Sequence, residues 1–135
     1  MRRNILITGS TGTQASGLIR TLILPPPTPT EQYEYYLYCL TRKASSTTPR
    51  SLGVSGKECY RIKIVQGDLD HRESVVRVFK SVEQEGGFWG VFVVLQFPGL
   101  GVDASGEERQ GKVCVLLAIY LSVRLCFSFY TRGLY

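Results

Sequence analysis

Ile5-Leu6-Ile7-Thr8-Gly9-Ser10-Thr11-Gly12-Thr13-Gln14-Ala15-Ser16-Gly17 carries an apolar run into two glycines and then into a helix-like segment. A short apolar run bounded by turn residues reads as a strand buried in a parallel sheet. The helix after the turn aims its unpaired N–H groups and positive dipole end at whatever sits there, and a pyrophosphate suits that site. Gly9 supplies the backbone angles of the turn, and Gly12, lacking Cβ, lets a phosphate approach the main chain. Ala15 takes the third small-residue position. The pattern G-x-x-G-x-x-A is looser than three glycines, but a methyl group still lets the helix pack close to the strand. With its strand before and helix after, the turn is expected to be a dinucleotide cradle rather than a plain turn. Gly9, Ser10, Thr11, Gly12, Thr13 and Gln14 are its candidate contacts.

Outward from this turn, short apolar runs alternate with amphipathic segments, the mark of βαβ units. Strands are expected at Asn4 to Thr8, Tyr35 to Thr41, Arg61 to Gln66, Gly90 to Gln96 and Arg124 to Phe129. The first helix spans Thr13 to Leu24 and is stopped by Pro25-Pro26-Pro27, which cannot continue it. Pro25 to Gln32 reads as a stiff surface connection. The expected fold is α/β, a Rossmann-type three-layer αβα with a parallel sheet of about five strands.

Between Lys43 and Lys57, Ser, Thr, Pro and Gly dominate, and Ser45-Ser46-Thr47-Thr48-Pro49 offers nothing for a core, so the stretch is expected to be mobile. Asp70 and Glu73 have the spacing of a capping box ahead of a helix whose Val75, Val76, Val78 and Phe79 form an apolar stripe. His71, the only histidine, reads as a solvated residue in the first turn of that helix.

The end of the second strand selects between nicotinamide cofactors, because a carboxylate accepts from a ribose 2′-hydroxyl whereas a cation pairs with a 2′-phosphate. Here Leu40-Thr41-Arg42-Lys43 offers a guanidinium and an ammonium, which favour NADP(H) over NAD(H); the alternative is a solvated pair of loop charges. Glu34 precedes the strand and is a poor ribose acceptor. Asp68, beside Leu69 after the third strand, either accepts from an adenine amino group or caps its own turn. Leu95, Gln96 and Phe97 after the fourth strand would lie near the middle of the cofactor.

The chain has 135 residues, 44% of them hydrophobic, which fits one domain over 1–135 with a real core. Arg2 and Arg3 precede an apolar stretch too short for a cleavable signal, so a cytoplasmic and also nuclear location is expected. Cys39, Cys59, Cys114 and Cys126 are scattered, without a C-x-x-C pair, and read as reduced thiols with no metal site. The net charge of +5 would attract polyanions, with a gathering at Arg42, Lys43, Arg50, Lys57, Arg61 and Lys63. Without aromatic-basic interleaving or a helix-turn-helix pattern, a phosphate-bearing small ligand explains that gathering better than nucleic acid.

Several motifs in order resemble the NmrA-like family of the atypical short-chain dehydrogenase/reductase superfamily. They are Ile5 to Ala15, Cys39-Leu40-Thr41-Arg42, Val65-Gln66-Gly67-Asp68-Leu69-Asp70, Gly90-Val91-Phe92 and Glu108-Arg109-Gln110-Gly111-Lys112. The resemblance implies a Rossmann fold that binds NADP(H), with Arg42 at the 2′-phosphate, Asp68 on the adenine side and the Leu95 to Phe97 loop at the inner part of the cofactor. The family includes redox-sensing regulators that bind transcription factors, alongside reductases of the isoflavone-reductase-like type. The chain departs from the family after Lys112: residues 113–135 are an atypical ending, expected to be incomplete relative to the family, with Val113 to Val123 apolar all round. Val113 to Tyr130 approaches the length of a membrane span, but Arg124 inside it would be costly, so burial is expected, or an exposed apolar edge prone to self-association.

A short-chain reductase uses a tyrosine with a lysine four residues on, and no Tyr-x-x-x-Lys occurs here, so no catalytic residue is assigned. Three readings follow: an NADP(H)-binding regulatory or redox-sensing domain, an NADPH-dependent oxidoreductase, and a remnant that no longer binds.

Overall fold

The computed structural model describes residues 1–9, 13–23, 33–96, 112 and 124–130. Strands β1 (Arg2–Ile7), β2 (Glu34–Thr41), β3 (Ile62–Gln66), β4 (Gly90–Gln96) and β5 (Arg124–Tyr130) form one sheet in the order β3-β2-β1-β4-β5. Every neighbouring pair is parallel. Helices α1 (Thr13–Ile23) and α2 (Arg72–Val82) are crossovers between parallel strands, which need such a connection to return to the same sheet edge. The fold is a Rossmann-type α/β fold with five strands, as the alternating pattern predicts.

Side-chain alternation divides the interior between the two sheet faces. Ile5, Ile7, Leu37 and Cys39 point to one face and pack with Ala15, Ile19 and Ile23 of α1. Leu6, Tyr38, Leu40, Val91 and Val93 point to the other and pack with Val75, Val78, Phe79 and Val82 of α2. A strand buried on both faces must be apolar at successive positions, which is why β1 and β2 read as continuous hydrophobic runs. Each fully buried aliphatic or phenyl group contributes roughly 1.5–3 kcal/mol. The two clusters therefore fix both helices against the sheet.

Three expectations are corrected. The N-cap of α2 is His71, not Asp70, and it makes no side-chain cap bond. The turn is closed instead by Ser74, whose Oγ accepts from the Asp68 N–H at 2.9 Å and lies 2.8 Å from the His71 carbonyl, so a serine in the first helical turn takes the place of the Asp70–Glu73 box. Second, residues 43–57, expected to be mobile, hold two core anchors beyond the Ser45–Pro49 run: Leu52 and Val54 are fully buried with Ile5, Ile19 and Ile62. Short 3₁₀ turns at Ala44–Ser46, Arg50–Leu52 and Lys57–Arg61 fold the stretch around those two anchors. Third, Arg61 ends the last of these turns rather than opening β3, and it is buried. Residues 124–130 pair along β4 from Gly90↔Arg124 to Gln96↔Tyr130, so this part of the apolar ending is strand. Among the described residues no helix is long and apolar enough to cross a membrane; 113–123 lie outside them.

Candidate dinucleotide site at the carboxyl edge of the sheet

The strand order runs outward from β1 in both directions, so the chain reverses its winding between β1 and β4. Open α/β sheets leave a crevice at such a point, outside the carboxyl ends of the strands. The Thr8 N–H donates to the Phe92 carbonyl at 3.0 Å and carries the β1–β4 pairing to the mouth of this crevice. Thr8 is fully buried, and Gly9 then turns with φ of +62°, in the left-handed region that an L side chain adopts at a cost. Thr13 and Gln14 open α1 just beyond. Ser10, Thr11 and Gly12, candidates for the cradle itself, lie outside the described residues. Ala15 is fully buried against β1 and β2, which is the close packing its small size predicts.

Arg42 and Lys43 follow β2 at the same edge. Both are exposed, and among the described residues neither pairs with a carboxylate. Their backbone is held firmly: the Lys43 N–H donates to Thr41 Oγ1 at 3.2 Å, and the Lys43 carbonyl accepts from Ser46 Oγ at 3.1 Å and Thr47 Oγ1 at 3.0 Å. The hydroxyls of the Ser/Thr run thus latch the loop that presents the two cations. Sequence reasoning reads that run as unstructured because it weighs core-forming capacity and not hydroxyl-to-carbonyl bonds.

Asp68 stands after β3, joined to β2 by the Gly67 N–H donating to the Thr41 carbonyl at 3.0 Å. Its Oδ1 accepts from the Asp70 N–H at 2.9 Å, and its Oδ2 lies 3.4 Å from His71 Nδ1. Of its two expected roles, the local turn is the one drawn in these contacts. Leu69 packs against the α2-side core. Leu95 and Gln96 end β4 opposite Phe129 and Tyr130, whereas Phe97 lies outside the described residues.

Two members of the expected basic gathering are engaged elsewhere. Arg61 is buried and spent on Glu58 and on the Ile23 carbonyl, and Lys63 bonds both oxygens of Glu85 at 2.9–3.1 Å. Lys63 belongs to the amino edge of the sheet, where Arg2, Tyr38 and Glu85 share one hydrogen-bonded cluster beside a hollow of about 310 Å³. Glu34 sits at that edge too, accepting from the Tyr60 hydroxyl at 2.8 Å. Cys39 and Cys59 are free thiols, and no group of metal-ligating side chains occurs among the described residues.

The residues present fit a dinucleotide: a left-handed glycine at the switch point, an adjacent helix start, and cations at the end of β2 that pair with no carboxylate among the described residues are donors of the right chemistry. This combination defines the class, a Rossmann-type α/β fold. Solved structures share the fold. A short-chain dehydrogenase from Leptospira borgpetersenii with bound NAD⁺ superposes with a TM-score of 0.60 at 18% identity, over 89% of this chain and 44% of its own. ElxO with NADP bound gives 0.58 at 16%, over 94% and 55%. An A-type ketoreductase of a modular polyketide synthase gives 0.66 at 16%, over 96% and 29%. The chain therefore spans about half or less of the length of these relatives in fold. No protein-family model matches the sequence, and no curated protein does.

Proposed function

We propose that the chain binds a nicotinamide dinucleotide across the carboxyl edge of its sheet, prefers NADP(H), and serves as a sensing or regulatory domain of the NmrA-like kind. The observation that carries this reading is the placement of Arg42 and Lys43, exposed and without carboxylate partners among the described residues, one strand away from the Gly9 turn. A bidentate guanidinium–phosphate pair is worth about 1.5–3 kcal/mol, or roughly 10–100-fold in affinity. Gly9 and the start of α1 would hold the pyrophosphate, and the Thr41–Lys43 loop would orient the adenosine end. The cofactor supplies a hydride-bearing ring whose two redox states differ in charge. A protein partner, such as a transcription factor, would read that difference if the two forms stabilise different conformations.

The sensing reading is preferred over turnover because the sequence lacks Tyr-x-x-x-Lys. Two of its described tyrosine hydroxyls are also committed elsewhere: Tyr38 to Arg2 and Glu85, and Tyr60 to Glu34, at the amino edge. The second reading, an NADPH-dependent oxidoreductase, is favoured by the dehydrogenases and ketoreductases among the similar structures.

Calorimetric titration with NADP⁺, NADPH, NAD⁺ and NADH tests both. The expected result is binding of the phosphorylated pair at least about tenfold tighter, with the difference erased in Arg42→Ala. Equal affinities overturn the NADP(H) preference, and no binding overturns the proposal. Oxidation of NADPH with a panel of carbonyl and enone compounds would establish the oxidoreductase reading instead.

A further inference from the structure

The loop after β2 holds a second feature that cofactor binding does not use. Arg42-Lys43-Ala44-Ser45 places a serine three and two residues after a guanidinium and an ammonium. The neighbouring hydroxyls are all engaged. Ser46 and Thr47 bond the Lys43 carbonyl, while Thr48 and Ser51 bond each other's backbone N–H groups at 3.0–3.2 Å. Ser45 alone in this run is exposed with no hydrogen-bond partner among the described residues.

We propose that Ser45 is a phosphorylation site for a basophilic serine/threonine kinase, and that its phosphate occupies Arg42 and Lys43. The coupling to cofactor choice rests on the NADP(H) reading above. A kinase with an acidic substrate groove recognises cations just before its target serine by charge complementarity. The Ala44–Ser46 turn buries nothing and is closed by two backbone bonds, Ser46 N–H to Lys43 at 3.2 Å and Thr47 N–H to Ala44 at 3.3 Å, and by the two exposed bonds from the Ser46 and Thr47 hydroxyls to the Lys43 carbonyl. None of these bonds is backed by a buried side chain of the turn, so a kinase groove that pairs with the two cations can open it locally, as an extended substrate must. In the transfer, the Ser45 Oγ–phosphorus bond forms while the bond from the γ-phosphorus of ATP to its β,γ-bridging oxygen breaks. ADP leaves, and the hydroxyl proton passes to the kinase's carboxylate base. The product carries a charge near −2 with three acceptor oxygens, within three residues of two unpaired cations. A phosphate tethered there competes with the 2′-phosphate of a bound cofactor for the same donors, while a cofactor with a bare 2′-hydroxyl loses nothing. The modification would therefore act as a selective brake on NADP(H).

The test uses the full chain, the catalytic domain of a basophilic kinase and Mg·ATP, with site mapping by mass spectrometry. The expected result is one phosphate, on Ser45, incorporated about tenfold more slowly in Arg42→Ala, and none on that peptide in Ser45→Ala. NADP⁺ affinity should fall about tenfold on phosphorylation and NAD⁺ affinity by less than about twofold. Labelling elsewhere with Ser45 untouched, or unchanged NADP⁺ affinity at full modification, overturns the proposal. Failure of the unmodified chain to bind either dinucleotide overturns the cofactor reading, and ³¹P spectroscopy then decides the charge pairing separately. Phosphoserine incorporated at position 45 by codon suppression should ionise at lower pH in the native chain than in the Arg42→Ala, Lys43→Ala double variant. Equal titrations overturn the pairing.

Discussion

Gly67 donates its N–H to the carbonyl of Thr41 at 3.0 Å, and this one bond ties the turn that carries Asp68 to the strand end that carries Arg42. Two loops expected to meet the same ligand are thus joined directly through the backbone. The close approach depends on the missing side chain. A Cβ on Gly67 would stand 2.7 Å from Leu40 Cδ1 and 3.5 Å from Val78 Cγ2, both in the packed interior.

Gly67→Ala should therefore destabilise the fold by about 1–3 kcal/mol, the usual cost of overpacking a filled core. Urea denaturation measures it. In a double-mutant cycle with Leu40→Ala the two changes should be less than additive, because the shortened side chain vacates the space the new methyl needs. Strict additivity would mean that the contact with Leu40 is not the cause.

Arg61 offers a second test, since it joins two elements that share no strand pairing. Its guanidinium bonds Glu58 through two nitrogens at 2.6–2.9 Å and the Ile23 carbonyl at the end of α1 at 2.6 Å, with 2% of its surface exposed. Arg61→Ala leaves a carboxylate and a helix-end carbonyl without their donor, a loss of about 2–4 kcal/mol. Arg61→Lys should recover less than half of that, because a single ammonium cannot span both acceptors as a planar fork does. Full rescue by lysine would show that charge alone, not the fork, holds α1 in place.

Cys39 and Cys59 should differ sharply toward thiol reagents. Cys39 is completely buried at the centre of the α1-side core, and burial pushes its thiol up to about 12, whereas Cys59 is partly exposed. Since the thiolate is the nucleophile, native-state alkylation followed by peptide mapping should modify Cys59 at least about tenfold faster. In denaturant the rates should converge. Equal native rates would mean that β2 opens far more readily than its buried register implies.

How legible all this was depended on whether the deciding interactions were local. All five strands were readable because each is a local apolar run, clearest in β1 and β2 where the sheet is buried on both faces, and Gly90 to Gln96 was placed to the residue. The Gly9 turn was readable for the same reason: its positive φ demands a glycine where strand gives way to helix. Arg61 was not. In sequence it is one cation among several, and although Glu58 lies only three residues before it, only the Ile23 carbonyl, brought from the end of α1, makes it a buried clamp. The Ser46 and Thr47 latch escaped notice because composition marks such residues as disordered while their hydroxyls are satisfying a carbonyl. Leu52 and Val54, two apolar residues within a polar stretch, were the available signal for its anchoring.

The final prediction concerns acid stability and turns on Glu85. Bonds from Lys63, then from the Tyr38 hydroxyl, and also from Arg2 hold its carboxyl down from the ordinary 4.5 to about 2. A carboxyl depressed in the folded chain binds protons more tightly once unfolded, so its stabilisation is complete above pH 4.5 and drains away as pH falls toward 2. Wild type and Glu85→Gln should thus differ most near neutral pH and converge across that interval, as read from denaturation midpoints measured at each pH. Because the partners are more than a third exposed, with 36–40% of the Glu85, Arg2 and Lys63 side chains open to solvent, added salt should shrink the neutral-pH gap. A gap that persists unchanged at pH 2 would assign the effect of the substitution to lost packing against Tyr38 rather than to charge.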